Sequence, residues 1–364
     1  KNDLYYGHKE KKMKIYHGTI AESERTLGGF NWPSIARLSD GRLAVVSSGF
    51  RLAHVCPFGK VTIQYSSDEG ITWTPPAVIL DSPLDDRDAG IAVYDNRVIV
   101  TSFNNSRAFQ TRLAKRDRTE REKALIEAYL ATIGEKEEEK YLGATFVVSR
   151  NGGISFGKIG RVPVSSPHGP AVLPDGSLFY LGKAFCMEDE NGKFPVNKLQ
   201  YVISSDWENW TKPKELAMPK EDGILFCEPH AVVLKSGRIL VGLRGQGKND
   251  FSIWTAYSDD GGKSFSAWKN LGFHGSPPHF MQHSSGVVVL SYGYRRSAFG
   301  QRARISTDNG ETWGEEFILR EDGLDWDLGY PATTECSDGS LITVYYQKLP
   351  AARHPGIYYT KWSL

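Results

Sequence analysis

Two short apolar runs separated by a polar turn recur six times along the chain. SIARLSDGRLAVVSS begins at Ser34, GIAVYDNRVIVTSF at Gly90 and GPAVLPDGSLFYLGK at Gly169. PHAVVLKSGRILVGLR follows from Pro229, HFMQHSSGVVVLSYGYR from His279 and PATTECSDGSLITVYYQ from Pro331. β-Branched and aromatic residues flank each turn, and five of the six turns contain Gly. That is the pattern of a β-hairpin. Repetition at this period points to a propeller or a solenoid.

A second repeat lies downstream of the hairpins. SSDEGITW begins at Ser66, SRNGGISF at Ser149, SDDGGKSF at Ser258 and STDNGETW at Ser306. SSDWENW from Ser204 is a weaker copy, one residue short and without the Gly. The box has a mechanical reason. Its Asp or Asn accepts backbone N–H bonds in the turn, its Gly permits positive φ, and its aromatic is a plate for packing beside neighbouring strands. A calcium loop is the rival reading of Asp-x-Gly, but the EF-hand spacing is absent. The boxes therefore read as folding devices. MKIYHGTI from Met13 supplies a strand to complete the sixth unit and close a ring.

One stretch breaks this rhythm. In residues 107–143, Leu125, Ile126, Tyr129, Leu130 and Ile133 recur at helical spacing among mixed charges. This predicts one or two amphipathic helices, about 107–140, between the second and third strands of the second unit. The insertion is expected to serve as a lid over the mouth, a contact for a homo-oligomer, or both.

Composition narrows the class. The chain has 364 residues, 40% hydrophobic and 24% charged, with net charge +1. That suits a globular protein with a sizeable core and gives no reason to expect nucleic acid or a membrane as partner. No signal peptide is visible. Cys56, Cys186, Cys227 and Cys336 are widely spaced, which favours free thiols in a reducing compartment, with secretion left open. The expected organisation is one all-β propeller over residues 13–364 behind a tail, 1–12.

Hairpins and boxes together resemble the sialidase (neuraminidase) superfamily of six-bladed β-propellers, over nearly the whole chain. The resemblance implies a rule for locating chemistry. Residues just before each first strand, and just after each second strand, should ring the mouth. The first set reads NWP (31–33), DDRDAG (85–90), SPHGP (166–170), CEPH (227–230), SPPHF (276–280) and LGYP (328–331). The second offers Arg51, His54, Asn104, Arg107, Lys183, Arg244, Arg295 and Arg296.

CEPHAVVLKSGRILVGLR is similar to the sialidase segment carrying a Glu and an Arg, which fall on Glu228 and Arg244. LGYPATTECSDGSLITVYY is similar to the segment carrying a tyrosine nucleophile, which falls on Tyr330. A phenol with a pKa of about 10 is a weak nucleophile at neutral pH, so a neighbouring carboxylate must take its proton. Departures from the family fall in the first blade. Asn31-Trp32-Pro33 stands where Arg-Ile-Pro is expected, and His54 lies nearest the family's acid/base Asp. Asp88 is the alternative acid. The third carboxylate-binding arginine is open between Arg295, which fits a strand end, and Arg302, which fits the spacing to Tyr330. Asn31, Arg51, Arg87, Trp32, His168, His230 and His279 complete the expected substrate-binding set. No cofactor or metal is expected: His54, Cys56, Cys227 and His230 have no zinc-site spacing.

The resemblance implies a retaining exo-glycosidase acting on a terminal, expected acidic, sugar of a glycan. The alternatives are a propeller lyase for uronate-containing glycans and a glycan-binding propeller without catalysis.

Overall fold

The computed structural model describes residues 15–114, 118–189, 193–248 and 250–364. The expected tail, 1–12, and Met13 of the closing strand lie outside them. Strand β1 (Tyr16–Ala21) precedes a first blade of β2 (Gly29–Arg37), β3 (Leu43–Arg51), β4 (Lys60–Ser66) and β5 (Ala77–Leu80). Blade two is β6 (Arg87–Tyr94), β7 (Arg97–Phe103), β8 (Ala144–Ser149) and β9 (Gly160–Val162). Between β7 and β8 run helices α1 (Arg107–Ala114), α2 (Glu120–Leu130) and α3 (Glu135–Tyr141), one more than the upper expectation. Blade three is β10 (Val164–Ser165), β11 (Ala171–Val172), β12 (Leu178–Ala184), β13 (Leu199–Ser204) and β14 (Lys214–Leu216). Blade four is β15 (Leu225–Val233), β16 (Ile239–Gln246), β17 (Phe251–Ser258) and β18 (Lys269–His274). Blade five is β19 (Pro278–Gln282), β20 (Val288–Tyr294), β21 (Gly300–Ser306) and β22 (Phe317–Arg320). Blade six is β23 (Gly329–Glu335), β24 (Leu341–Gln347) and β25 (Gly356–Trp362).

Each blade is an antiparallel meander, so the fold is a six-bladed all-β propeller. The ring closes as the sequence predicts: β1 pairs with β25, from Tyr16 opposite Lys361 to Ala21 opposite Ile357. One apolar cluster fills the junction between each pair of consecutive blades. Ile91 and Val100 of blade two meet Val46 and Ile63 of blade one, and Tyr330 and Val344 of blade six meet Trp32 and Val45 of blade one. Apolar area removed from water stabilises these junctions at about 25 cal/mol per Å².

The boxes lock the turns between third and fourth strands. In the first, Gly70 sits at φ +84° after Glu69 at φ +59°, and its N–H donates to Ser66 Oγ at 2.8 Å. Asp68 Oδ1 accepts from Thr72 N at 2.9 Å. Hydrogen bonds from the Thr72 side chain and backbone and from Ser66 lower the Asp68 carboxyl to about 2. In the degenerate box Trp207 replaces the Gly. It adopts φ +73°, donates its N–H to Ser204 Oγ at 2.9 Å and is fully buried. The missing Gly is thus covered by a non-Gly residue held in the same left-handed conformation.

Candidate active site

The boxes and the chemistry lie on opposite faces, because successive strands of a meander alternate direction. At the face away from the boxes the first strands share a local defect. Their pairing slips at Trp32–Pro33 in β2, Asp88–Ala89 in β6, Glu228–Pro229 in β15 and Tyr330–Pro331 in β23. Trp32, Asp88, Glu228 and Tyr330 have φ between +48° and +51°. In blade three the first strand is broken outright between β10 and β11, and His168 there has φ +72°. Proline cannot donate to the ladder, and a bulge re-aims the residue beside it. A non-Gly residue at such φ costs on the order of 1 kcal/mol or more and persists only where its surroundings over-determine it. Five blades hold that conformation at one level of the mouth.

Three of the expected residues converge. Tyr330 Oη donates to Glu228 Oε1 at 2.5 Å, and Arg244 Nη1 donates to Glu228 Oε2 at 2.5 Å. Arg244 Nη2 also donates to Gln246 Oε1 at 2.8 Å. Burial opposes ionisation of Glu228, but Arg244, the Tyr330 hydroxyl and Arg295 outweigh it and hold its carboxyl below the usual range. Burial, then Glu228 and Asp88, push the Tyr330 phenol well above its ordinary value. A neutral phenol therefore donates to an ionised carboxylate, the arrangement of a nucleophile and its base.

Of the two arginines left open by the sequence, Arg295 is the one beside Tyr330. Its guanidinium lies 5.8 Å from the Tyr330 ring centroid and makes no side-chain ion pair among the described residues. Arg302 does not join the mouth. It turns outward, donates to the Arg320 carbonyl at 2.7 Å and lies over Tyr294. The expectation that it binds substrate is corrected: a third-strand residue opposite Tyr292 faces β22, away from the channel.

Blade one departs in a second way. The bulge gives Trp32 the place that Glu228 and Tyr330 hold in their blades, while Asn31 remains in register with Ser48. Asn31 is buried, and its Nδ2 lacks a partner among the described residues. Arg51 is fully buried, bound to Asp85 at 2.7 Å and to Ser48 Oγ at 2.7 Å. It supports the site from beneath, which corrects its expected contact with substrate. Arg87 lies over Trp32, 4.1 Å from the ring centroid, and donates to the His54 carbonyl at 2.8 Å.

The candidate acids differ in setting. Asp88 is buried, its Oδ1 is unpartnered among the described residues, and burial foremost raises its carboxyl to about 7. His54 stands on the rim with its side chain 48% exposed, edge-on to Trp32 at 5.1 Å. Its Nδ1 lies 3.2 Å from Asp327 Oδ2. Asp327 is absent from the expected set, although it immediately precedes LGYP, in the class of positions that gathered the others.

His168, His230 and His279 pack together in the channel, with ring centroids 4.5 to 5.5 Å apart. His230 Nδ1 accepts from Phe280 N and His279 Nδ1 from Thr333 N, and burial lowers all three pKa values. These are neutral rings tying blades together. Only His168, 6.4 Å from the Tyr330 ring, borders the nucleophile. Among the described residues no group of three or more His, Cys, Asp or Glu could hold a metal ion.

The insertion buttresses the rim. Ile126, Leu130 and Ile133 pack on Leu52, Cys56 and Leu84, and Tyr129 Oη donates to the Pro83 carbonyl at 3.1 Å. Beside the mouth a cleft of about 430 Å³ is lined by Phe103, Lys183, Phe185, Phe194, Leu225 and Cys227. All four cysteines are free thiols.

Residues 64–75 match the BNR/Asp-box repeat model. No curated protein matches by sequence. Among solved structures the chain is similar to a protein of unknown function from Dyadobacter fermentans, 20% identical, TM-score 0.73, covering 96% of this chain and 99% of that one. It is similar to the NanB sialidase of Streptococcus pneumoniae at 15% identity and TM-score 0.67, covering 95% of this chain and 70% of that one. The intramolecular trans-sialidase of Ruminococcus gnavus is 13% identical at TM-score 0.63, covering 93% of this chain and 95% of that one.

Proposed function

From an Asp-box propeller of sialidase-like fold, we propose a retaining exo-glycosidase that releases a terminal, acidic sugar from a glycan. The observation that carries this reading is the Tyr330–Glu228–Arg244 constellation, three residues from two blades joined by two contacts of 2.5 Å. Tyr330 attacks the anomeric carbon while Glu228 takes its proton. A phenol that is neutral before attack brings no charge against an anionic sugar. Arg244 holds Glu228 ionised, and Arg295, with no side-chain ion pair among the described residues, receives the sugar's acidic group.

A panel of aryl glycosides and acidic oligosaccharides tests the reading, with Tyr330→Phe beside the parent. Hydrolysis creates a reducing end and is abolished in Tyr330→Phe. An unsaturated, ultraviolet-absorbing product would assign a lyase instead, with Arg244 and Arg295 neutralising a uronate carboxylate. Binding without product would leave a lectin-like propeller.

A further inference from the structure

The leaving sugar needs a proton, and the mouth offers two sources. Asp88 is on its floor, 6% exposed, beside Glu228 and Tyr330. A terminal sugar entering this mouth directs its leaving group outward, so the acid must be reached at the rim. His54 is there, half-exposed, with both its carbonyl and its ring held. Its carbonyl accepts from Arg51 Nη2 and from Arg87 Nη1, each at 2.8 Å. Its ring meets the Trp32 edge at 5.1 Å. Its Nδ1 faces Asp327 Oδ2 at 3.2 Å. Asp327 is fixed in turn. Its Oδ1 accepts from Tyr346 Oη at 2.7 Å, and its N–H donates to Asp325 Oδ1 at 2.8 Å. Tyr346 packs on Tyr330 at 5.9 Å, so the nucleophile and the rim histidine share one support.

We propose that His54 is the general acid and base of this site and that Asp327 positions it, an inference that rests on the hydrolytic reading above. With Nδ1–H directed at a carboxylate, Nε2 keeps only the 3.4 Å contact with Arg87 Nη2, which the substrate displaces when it takes up this nitrogen. In the first step the imidazolium gives its Nε2 proton to the glycosidic oxygen as the bond from that oxygen to the anomeric carbon breaks. Tyr330 Oη bonds to the anomeric carbon, and its proton passes to Glu228. In the second step neutral His54 takes a proton from water, and the water oxygen bonds to the anomeric carbon. The bond to Tyr330 breaks, and the phenolate recovers its proton from Glu228. The charged groups facing His54 are Asp327 from the loop before β23 and Arg87 from β6, whose Nη2 lies 3.4 Å from Nε2. Arg51 reaches its carbonyl from β3, and Arg118, between α1 and α2, reaches the next carbonyl, Val55, at 3.4 Å. Asp327 remains anionic: burial opposes this, but His54, Tyr346 and Arg295 hold its carboxyl at about 2.

The test compares one sugar on two leaving groups, an activated nitrophenol and an unactivated sugar alcohol. General-acid assistance contributes about 10²–10⁴-fold where the leaving group is poor. His54→Gln is expected to lose that factor on the sugar alcohol and less than about tenfold on the nitrophenol. Asp327→Asn is expected to lose about tenfold with the same dependence. Imidazole added to His54→Ala restores part of the sugar-alcohol activity. Equal losses by His54→Gln on both leaving groups would overturn the proposal. So would a leaving-group-dependent loss in Asp88→Asn with none in His54→Gln. Tyr330→Phe separates the two levels: inactive on both substrates, it leaves the Tyr330 nucleophile standing even if the His54 assignment falls, whereas full activity removes that nucleophile and with it the retaining reading on which the proposal rests.

Discussion

Glu228→Gln removes one charge from the point where nucleophile and arginine meet. Gln can still accept from Tyr330, but Arg244 loses its counter-ion. The Arg244 side chain is 8% exposed and that of Glu228 20%. Removing one partner of a buried ion pair costs about 3–5 kcal/mol, because the other charge stays buried and uncompensated. The partial exposure of Glu228 and the remaining Arg244–Gln246 bond at 2.8 Å place this case near the lower end, about 3 kcal/mol. Glu228→Gln/Arg244→Met removes the stranded cation and should return most of that loss. Activity should behave otherwise. Losing the base costs about 10²–10⁴ in kcat/KM, and the double variant does not recover it. Urea unfolding at pH 7 gives the first quantity and turnover of the parent's best aryl glycoside the second. The pH dependence has a definite sign. The folded pKa of Glu228 is depressed, so the pair's contribution is present above the unfolded carboxyl pKa. It is lost as pH falls through the folded value, and the gap between parent and Glu228→Gln narrows in acid. A single variant within about 0.5 kcal/mol of the parent at pH 7, or a double variant with restored activity, would refute the reasoning.

Three further outcomes are expected. Asp88 has a carboxyl raised to about 7, so its ionisation removes stability as pH rises from the ordinary carboxylate range toward 7. Thermal unfolding of Asp88→Asn should therefore show a larger gain over the parent at pH 8 than at pH 5. An aryl α-sialoside should be turned over at least about tenfold less efficiently than the preferred aryl glycoside. Asn31 stands where the sialidase resemblance expects an arginine to grip the carboxylate, and one charge-assisted hydrogen bond is worth about 1.5–3 kcal/mol; kcat/KM for both substrates decides it. Ile126 is fully buried against the rim loop, so Ile126→Asp should cost at least about 2 kcal/mol and lower kcat through displacement of His54. Denaturant unfolding and single-substrate kinetics read these together, and a variant unchanged in both would show that the insertion does not support the rim.

The blades were legible in the chain because their causes are local. Alternating apolar residues around a Gly turn define a hairpin wherever they occur, and the side chains of Ser66 and Asp68 bond to each other and to Gly70 and Thr72 within one turn. Repetition then implied the ring, and the strand after Met13 had one free edge to fill. The family resemblance of two segments points to Glu228, Arg244 and Tyr330, and Glu228 contacts both of the others at 2.5 Å. What the sequence left open is decided between blades. Arg295 and Arg302 are equivalent as letters, yet one strand direction aims the first at Tyr330 and the other aims the second at Arg320. Arg51 reads as a mouth cation until Asp85, from the next blade, claims it at 2.7 Å. Trp32 rather than Asn31 enters the mouth because the bulge advances the pairing by a residue, a choice made by backbone pairing with β3. Asp327 and His54 stand 273 positions apart and meet only because the ring closes blade six against blade one. Contacts of that separation depend on closure of the whole ring, and no local pattern encodes which of the many polar loop residues it will bring together.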